Sequence, residues 1–258
     1  MMDFLLMKDY SINFGDKNTW TDWHLVPTSR PVINPPQLKK KTIDIPGGNG
    51  SLDLSESLTG YPVFENRTGS IEFYVMNGFA RWYEIYAEVM NYLHGKKTQM
   101  ILSEDPDFYY EGRFTVNNWK SDKGRSKITI DYDVAPYKMS TTTSLTGKIW
   151  NLLYEPLGFY PQKMFKDIEL EQIVLQELTL TSRHIGQAPV VPKIIADSEN
   201  TITMRYVNDA LGIDVQHNLQ NGDNLFPDII MYGDSVSYFF LSQDENAKVS
   251  IDFRPGRL

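Results

Sequence analysis

The sequence predicts a mainly β protein with one prominent α-helix, arranged in two domains. Three observations lead there. Short alternating apolar runs divided by Gly, Asp, Asn and Pro recur along most of the 258 residues. One stretch, residues 79–93, carries a sustained helical period, and no later segment matches it. Residues 138–147, KMSTTTSLTG, are small and hydroxylated with no apolar period, the composition of a linker. The expected layout is a first domain over 1–137 with the helix and a β-hairpin, a linker over 138–147, and a β-sandwich over 148–258.

Taken in order, Tyr10, Ile12 and Phe14, then Trp20 and Trp23, flank Gly15-Asp16-Lys17-Asn18, which predicts a pair of strands with a turn. Prolines dominate residues 27–37. Each removes a backbone donor and pushes its predecessor to extended geometry, so an extended arm is expected. Lys39, Lys40 and Lys41 follow as a solvated strand edge. Ile71, Phe73 and Val75 alternate with Glu72, Tyr74 and Met76 as a half-buried strand. Then Phe79, Trp82, Tyr83, Tyr86, Val89, Met90 and Leu93 recur at helical spacing opposite Arg81, Glu84, Glu88 and Asn91. Asn77 suits the N-cap, and His94-Gly95 suits the C-terminal end. On this pattern Trp82, Tyr83 and Tyr86 are expected in the core.

After the helix, residues 100–103 form a strand ended by Asp105-Pro106-Asp107. Residues 113–120 and 127–134 form a hairpin about Ser121-Asp122-Lys123-Gly124-Arg125, with Ile128, Ile130, Tyr132 and Val134 inward and Asp131 and Asp133 outward. Pro136 stops it. In the second domain, residues 168–180 read as strand with a helix competing in the middle. Residues 201–206, 228–232, 236–241 and 249–253 read as strands between polar turns, the pattern of a β-sandwich.

Composition narrows the chemistry. No cysteine is present, which removes thiol catalysis, thiolate metal sites and disulfides, and suits a reducing cytoplasm. A formal net charge of -8 argues against general attraction to nucleic-acid phosphates. The opening MMDFLLMKDY carries Asp3 and Asp9 and no small-residue cleavage pattern, so no signal peptide is expected, and no run is long enough for a membrane-spanning helix.

Candidate chemistry is sparse. His24, His94, His184 and His217 lack any paired spacing for a metal. Glu104, Asp105 and Asp107 flank a turn, and Asp209, Asp214 and Asp223 lack the spacing of a calcium loop. Gly47-Gly48-Asn49-Gly50 has no following lysine or helix start, so it reads as a turn rather than a phosphate loop. Neither enzyme activity nor a cofactor or metal is expected. Tyr109, Tyr110, Tyr154, Phe159 and Tyr160 suit either a carbohydrate site or a subunit interface.

A set of ordered pieces resembles the distal tail protein (Dit) family of long-tailed bacteriophages of Gram-positive hosts. The pieces are Ile43-Asp44-Ile45-Pro46-Gly47 with Leu52-Asp53-Leu54, Asn66-Arg67, Leu93-His94-Gly95, Tyr110-Glu111-Gly112-Arg113 and Pro136-Tyr137-Lys138. Phe226-Pro227-Asp228-Ile229 and the ending Val249-Ser250-Ile251-Asp252-Phe253-Arg254-Pro255-Gly256-Arg257-Leu258 extend the resemblance into the second domain. It implies an N-terminal belt domain that assembles as a homo-hexameric ring, and a C-terminal galectin-like β-sandwich. It also implies a structural place at the virion tail tip after assembly in the host cytoplasm. Partners would be the tail-tube protein, the tail-associated hub protein and receptor-binding proteins, with DNA passing through unbound.

Residues 41–65 are long, polar and turn-rich, too extended for core, and a rigid scaffold can project them to a neighbour. Inter-subunit contacts are expected there, with Asp44, Asp53, Glu56 and Arg67 as ion-pair members; a surface loop closing on its own domain is the competing reading. A reading of another class makes the chain a carbohydrate-binding module for host cell-wall polysaccharide, resting on a galectin-like fold alone.

Overall fold

The computed structural model describes residues 8–76, 82–121, 126–146 and 165–258. Asn77, Phe79, Arg81, the hairpin residues Asp122, Lys123, Gly124 and Arg125, and the aromatics Tyr154, Phe159 and Tyr160 lie outside the described residues. The protein is mainly β. It divides into two units, Met1–Ser55 with Pro62–Lys138, and Glu56–Tyr61 with Met139–Leu258. No helix among the described residues is long and apolar enough to cross a membrane.

The first unit is built on an antiparallel sheet. Its strands are β1 (Ile12–Phe14), β2 (Lys17–Asn18), β3 (Leu25–Pro27), β6 (Arg67–Val75), β7 (Lys97–Leu102), β8 (Phe108–Ser121) and β9 (Ser126–Val134), in the order β2-β1-β7-β8-β9-β6-β3. A separate two-stranded ribbon, β4 (Thr42–Asp44) with β5 (Ser51–Asp53), interrupts the chain between β3 and β6. The alternation at Ile71 and Phe73 places both in the core, as do Ile128, Ile130, Tyr132 and Val134 on β9. Asp131 and Asp133 face away, accepting bonds from Asn117 and Asn66.

Strands β8 and β9 run in register from Gly112 opposite Val134, with a bulge between Val116 and Trp119. Gly112 is required there, because a Cβ would lie 2.1 Å from the Asp133 carbonyl oxygen. The two tryptophans expected in a second strand instead follow β2 in a turn. Asn18 accepts the amides of Trp20 and Thr21, which bends the chain and drives Trp23 wholly into the core beside Phe14. Residues 28–37 carry no strand and run as an arm whose Ile33 is buried and whose Asn34 amide donates to the Tyr132 hydroxyl.

Helix α1 (Trp82–Leu93) packs on β8 and buries Ile85, Val89 and Leu93. Its exit is locked to that strand: Gly95 donates to the Phe114 carbonyl, and Arg113 donates to the Gly95 carbonyl. The stripe of recurring apolar residues is therefore real, but its centre is not where the aromatics stand. Tyr83 is 66% exposed, and Trp82 and Tyr86 are half-buried on the flank, which corrects the expectation that all three are core.

Strand β10 (Lys138–Ser140) starts at the last residue of the first unit, and the second unit holds two four-stranded antiparallel sheets. Strands β11 (Ile168–Glu169), β13 (Lys193–Asp197), β16 (Gly222–Leu225) and β18 (Lys248–Asp252) run in the order β11-β18-β13-β16. Strands β12 (Gln176–Thr181), β14 (Ile202–Asn208), β15 (Ile213–Leu219) and β17 (Ser235–Leu241) run in the order β12-β17-β14-β15. Side chains of both sheets, among them Ile194, Ile251, Tyr206 and Tyr238, form one core. A short helix α2 (Ser182–Ile185) follows β12, and β19 (Gly256–Arg257) ends the chain. Residues 228–232, expected as a strand, make only a bridge from Met231 to Val190, and Ile229 and Met231 plug the core instead.

Candidate assembly surface

The ribbon of the first unit is where sequence and geometry combine into something other than a core. Its register sets Thr42 opposite Asp53, Ile43 opposite Leu52 and Asp44 opposite Ser51. Directly opposed residues share a face, and successive residues alternate. One face therefore carries Thr42, Asp44, Ser51 and Asp53. The other carries Ile43 and Leu52, with Ile45 next on the same side.

These three apolar residues are 48%, 50% and 53% exposed for Ile43, Leu52 and Ile45, so no core of their own unit covers them. Gly47 and Gly50 hold φ near 77° and 78° with nothing near a would-be Cβ, so backbone conformation alone demands glycine at this tip. At the base, Leu54 donates to the Lys41 carbonyl and Lys41 donates to the Ser55 hydroxyl. Below it, Lys39 and Val63, Gln37 and Glu65 are joined through backbone bonds of 2.8 and 2.7 Å.

A two-stranded ribbon is marginal in water unless something packs on it. This one is amphipathic, anchored at its base, and bare on its apolar face. Its geometry suits docking against another surface rather than catalysis.

Of the residues expected to form ion pairs, Asp44 and Asp53 come together on the polar face. Asp53 accepts from the Ser55 hydroxyl and amide, and these bonds, with the Lys40 charge, hold its carboxyl below the usual range. Glu56 is exposed but belongs to the second unit, in a short turn where its carbonyl accepts from Gly60 and where Tyr61 packs against Tyr232 at 4.9 Å.

Arg67 stands apart, only 5% exposed, with Nε donating to the Pro136 carbonyl and Nη1 to the Asn34 carbonyl. Burial lowers the pKa of its guanidinium from the ordinary value. Arg67 is thus a framework residue, since its fork ties the arm to the end of β9. The apolar face of Ile43, Ile45 and Leu52 was missed as a site, although the alternation in Thr42-Ile43-Asp44-Ile45 and Ser51-Leu52-Asp53 signals it.

A second exposed apolar surface lies on the same unit. Trp82 and Tyr86 of α1 close on Trp119, which the β8 bulge turns outward, with ring centroids 4.6 and 5.5 Å from it. Tyr83 adds its ring 5.9 Å from Trp82. Trp119 remains 46% exposed. Tyr109 and Tyr110, by contrast, are buried.

Catalytic or metal chemistry finds little support among the described residues. No group of three or more His, Asp or Glu could hold a metal ion. His217 pairs with Asp228 at 2.8 Å and stacks on Phe226, and Asp214 pairs with Arg205. A polar cleft of about 670 Å³ in the second unit is lined by Gln172, Asp197, Glu199, Asn200, Gln243 and Asp244 among others, with no aromatic ring to stack on a sugar face.

No family model matches the chain, and no curated protein matches it. Among solved structures, it is similar to the crystal structure of the SPP1 Dit (gp 19.1) protein, described as a paradigm of the hub adsorption apparatus in phages infecting Gram-positive bacteria. The TM-score is 0.57 at 12% identity, over 96% of this chain and 99% of that one. The distal tail resemblance read from the sequence is borne out at the level of fold.

Proposed function

We propose that this protein is a structural hub of a phage tail tip, a homo-hexameric ring that joins the tail tube to the tail-associated hub protein and receptor-binding machinery around a DNA channel. The observation that carries the reading is the fold likeness to a phage hub protein along nearly the full length of both chains. The first unit is the ring-forming belt and the second a galectin-like sandwich; residues 139–146, expected as linker, belong to the second unit, where the buried Ser144 hydroxyl donates to the Ile251 carbonyl. The ring sits in the virion tail after assembly in the host cytoplasm.

Two features of the chain support this reading. An exposed amphipathic ribbon at residues 42–53 is what a subunit that completes its fold against a neighbour would carry. A net charge of -8 is compatible with a lumen that passes DNA without holding it. On this reading Asp44, Asp53 and Glu56, all exposed, contribute contacts between subunits.

Light scattering and negative-stain microscopy of the purified protein test the reading. Six-fold rings are the expected result. A monomer that binds purified cell-wall polysaccharide would overturn it in favour of the carbohydrate module.

A further inference from the structure

We infer that Asn49-Gly50, at the tip of the β4–β5 ribbon, is a self-modifying site: the Asn49 side-chain amide converts to aspartate and isoaspartate without an enzyme.

The Gly50 main-chain nitrogen attacks Cγ of Asn49 as solvent base removes its proton. A bond forms between that nitrogen and Cγ, the Cγ–Nδ2 bond breaks, and ammonia leaves with a proton returned by solvent. Water then opens the five-membered imide. Attack at Cγ leaves the main chain running through the α-carbonyl, as Asp, and attack at the α-carbonyl leaves it running through Cγ, as isoAsp. Nothing is oxidised or reduced, and amide plus water becomes acid plus ammonia.

Three features of the tip favour the reaction. The attacking residue is glycine, so no Cβ obstructs the approach of its nitrogen, and the space about its α-carbon is open. Asn49 and Gly50 are both exposed, and neither the Asn49 side chain nor the Gly50 amide makes a hydrogen bond among the described residues. Both also lie outside the strands, since the ladder ends at Asp44 opposite Ser51. The backbone can therefore turn Cγ toward the next nitrogen without breaking a bond, which is the near-attack arrangement that an intramolecular step needs.

The same dipeptide recurs at Asn221-Gly222, where Asn221 is also exposed. There Gly222 belongs to β16 and stands opposite Ala196. The buried Asn224 side chain accepts from the Gln220 amide and donates to the carbonyls of Gln220 and Gly222. This brace fixes the backbone on both sides of Asn221, so turning it toward attack breaks bonds that the Asn49-Gly50 step lacks.

Conversion alters the surface on which it occurs. Asp adds a negative charge at the tip. IsoAsp adds a backbone carbon to the turn that sets Asp44 opposite Ser51 and Ile43 opposite Leu52, and in a hairpin the length of the turn fixes the register.

To test this, the purified full-length protein is aged at neutral and mildly alkaline pH and then digested with trypsin. Asn49, Asn77 and Asn221 fall on separate peptides, 42–67, 68–81 and 206–248. Mass spectrometry, with chromatographic separation of Asp from isoAsp, gives each rate. In the folded protein Asn49 should convert about tenfold faster than Asn221 or more. In urea the two rates should converge. Asn49→Gln should silence the 42–67 peptide, which assigns its signal to Asn49 and not to Asn66. Hydrogen exchange over residues 42–53 should quicken as isoAsp accumulates.

Equal rates at Asn49 and Asn221 in the folded protein, or a slower Asn49, would overturn the site. Exchange over 42–53 that stays constant in the converted chain would overturn its effect on the ribbon.

Discussion

The guanidinium carbon of Arg67 lies 5.6 Å from the ring centroid of Tyr110, beneath a side chain whose Nε and Nη1 are held by the carbonyls of Pro136 and Asn34. One arginine thus fastens the proline-rich arm to the exit of β9. Arg67→Met removes the charged donors and leaves two acceptors short of partners, an expected loss of about 2–4 kcal/mol. Urea denaturation measures it. Arg67→Lys should recover only part, because an ammonium cannot reproduce the fork.

Gly112 faces the backbone of Val134 across the hairpin, and the obstacle to any larger residue is main chain, which cannot rotate away. Gly112→Ala is expected to cost about 2–3 kcal/mol or to open the β8–β9 register locally. Hydrogen exchange at β9 would distinguish the two, since opening exposes the amides near Val134 while a uniform loss lowers all protection together.

In the second unit, Tyr206 donates to the Ile230 carbonyl at 2.6 Å, and the Asn208 amide donates to the carbonyls of Ile230 and Tyr232. Tyr206→Phe leaves the Ile230 carbonyl one donor, so the expected cost is about 1 kcal/mol. Asn208→Ala strips Tyr232 and is expected to cost about 2 kcal/mol. Because both serve one carbonyl, the double substitution should cost more than the sum, and a double-mutant cycle on thermal denaturation reads the coupling.

His184 is buried beside Phe165, and burial lowers its pKa from the ordinary 6.5, with Arg183 adding to the shift. The unfolded chain therefore binds a proton there more readily than the folded one. Stability should be unaffected by this group above pH 6.5, and should fall as pH drops from 6.5 toward the lower folded pKa. His184→Phe is expected to flatten that part of the pH profile. A profile identical to wild type would assign the dependence to other groups.

Much of the fold was legible. The helix over residues 82–93 and the strands about Ile71 and Ile130 follow from periodicity alone, because a residue's position in a regular element is set by local geometry. What periodicity cannot supply is the sector of the helix that meets the sheet. Trp82 and Tyr86 share the repeat of Ile85 and Val89, and only the position of β8 decided which residues were covered.

Strand β15 was passed over for a related reason. Its outward residues Asp214, Gln216 and Asn218 are polar, and its inward Ile213, Val215 and His217 are only partly buried, so the apolar signal is weak. Residues 228–232 erred in the opposite direction: Ile229 and Met231 are apolar because they fill a core, without a neighbouring strand to pair with.

The candidate surface divides in the same way. Sequence alone determined that residues 41–65 are too polar and turn-rich for a core and that the glycines make a turn, and it marked Asp44 and Asp53 as candidate contact residues. Tertiary structure decided that those acids share a face, that the opposite face of Ile43, Ile45 and Leu52 is bare, and that Arg67 is buried. The physical reason is that alternation specifies two faces of a strand, whereas burial depends on whether a distant part of the chain arrives to cover one of them.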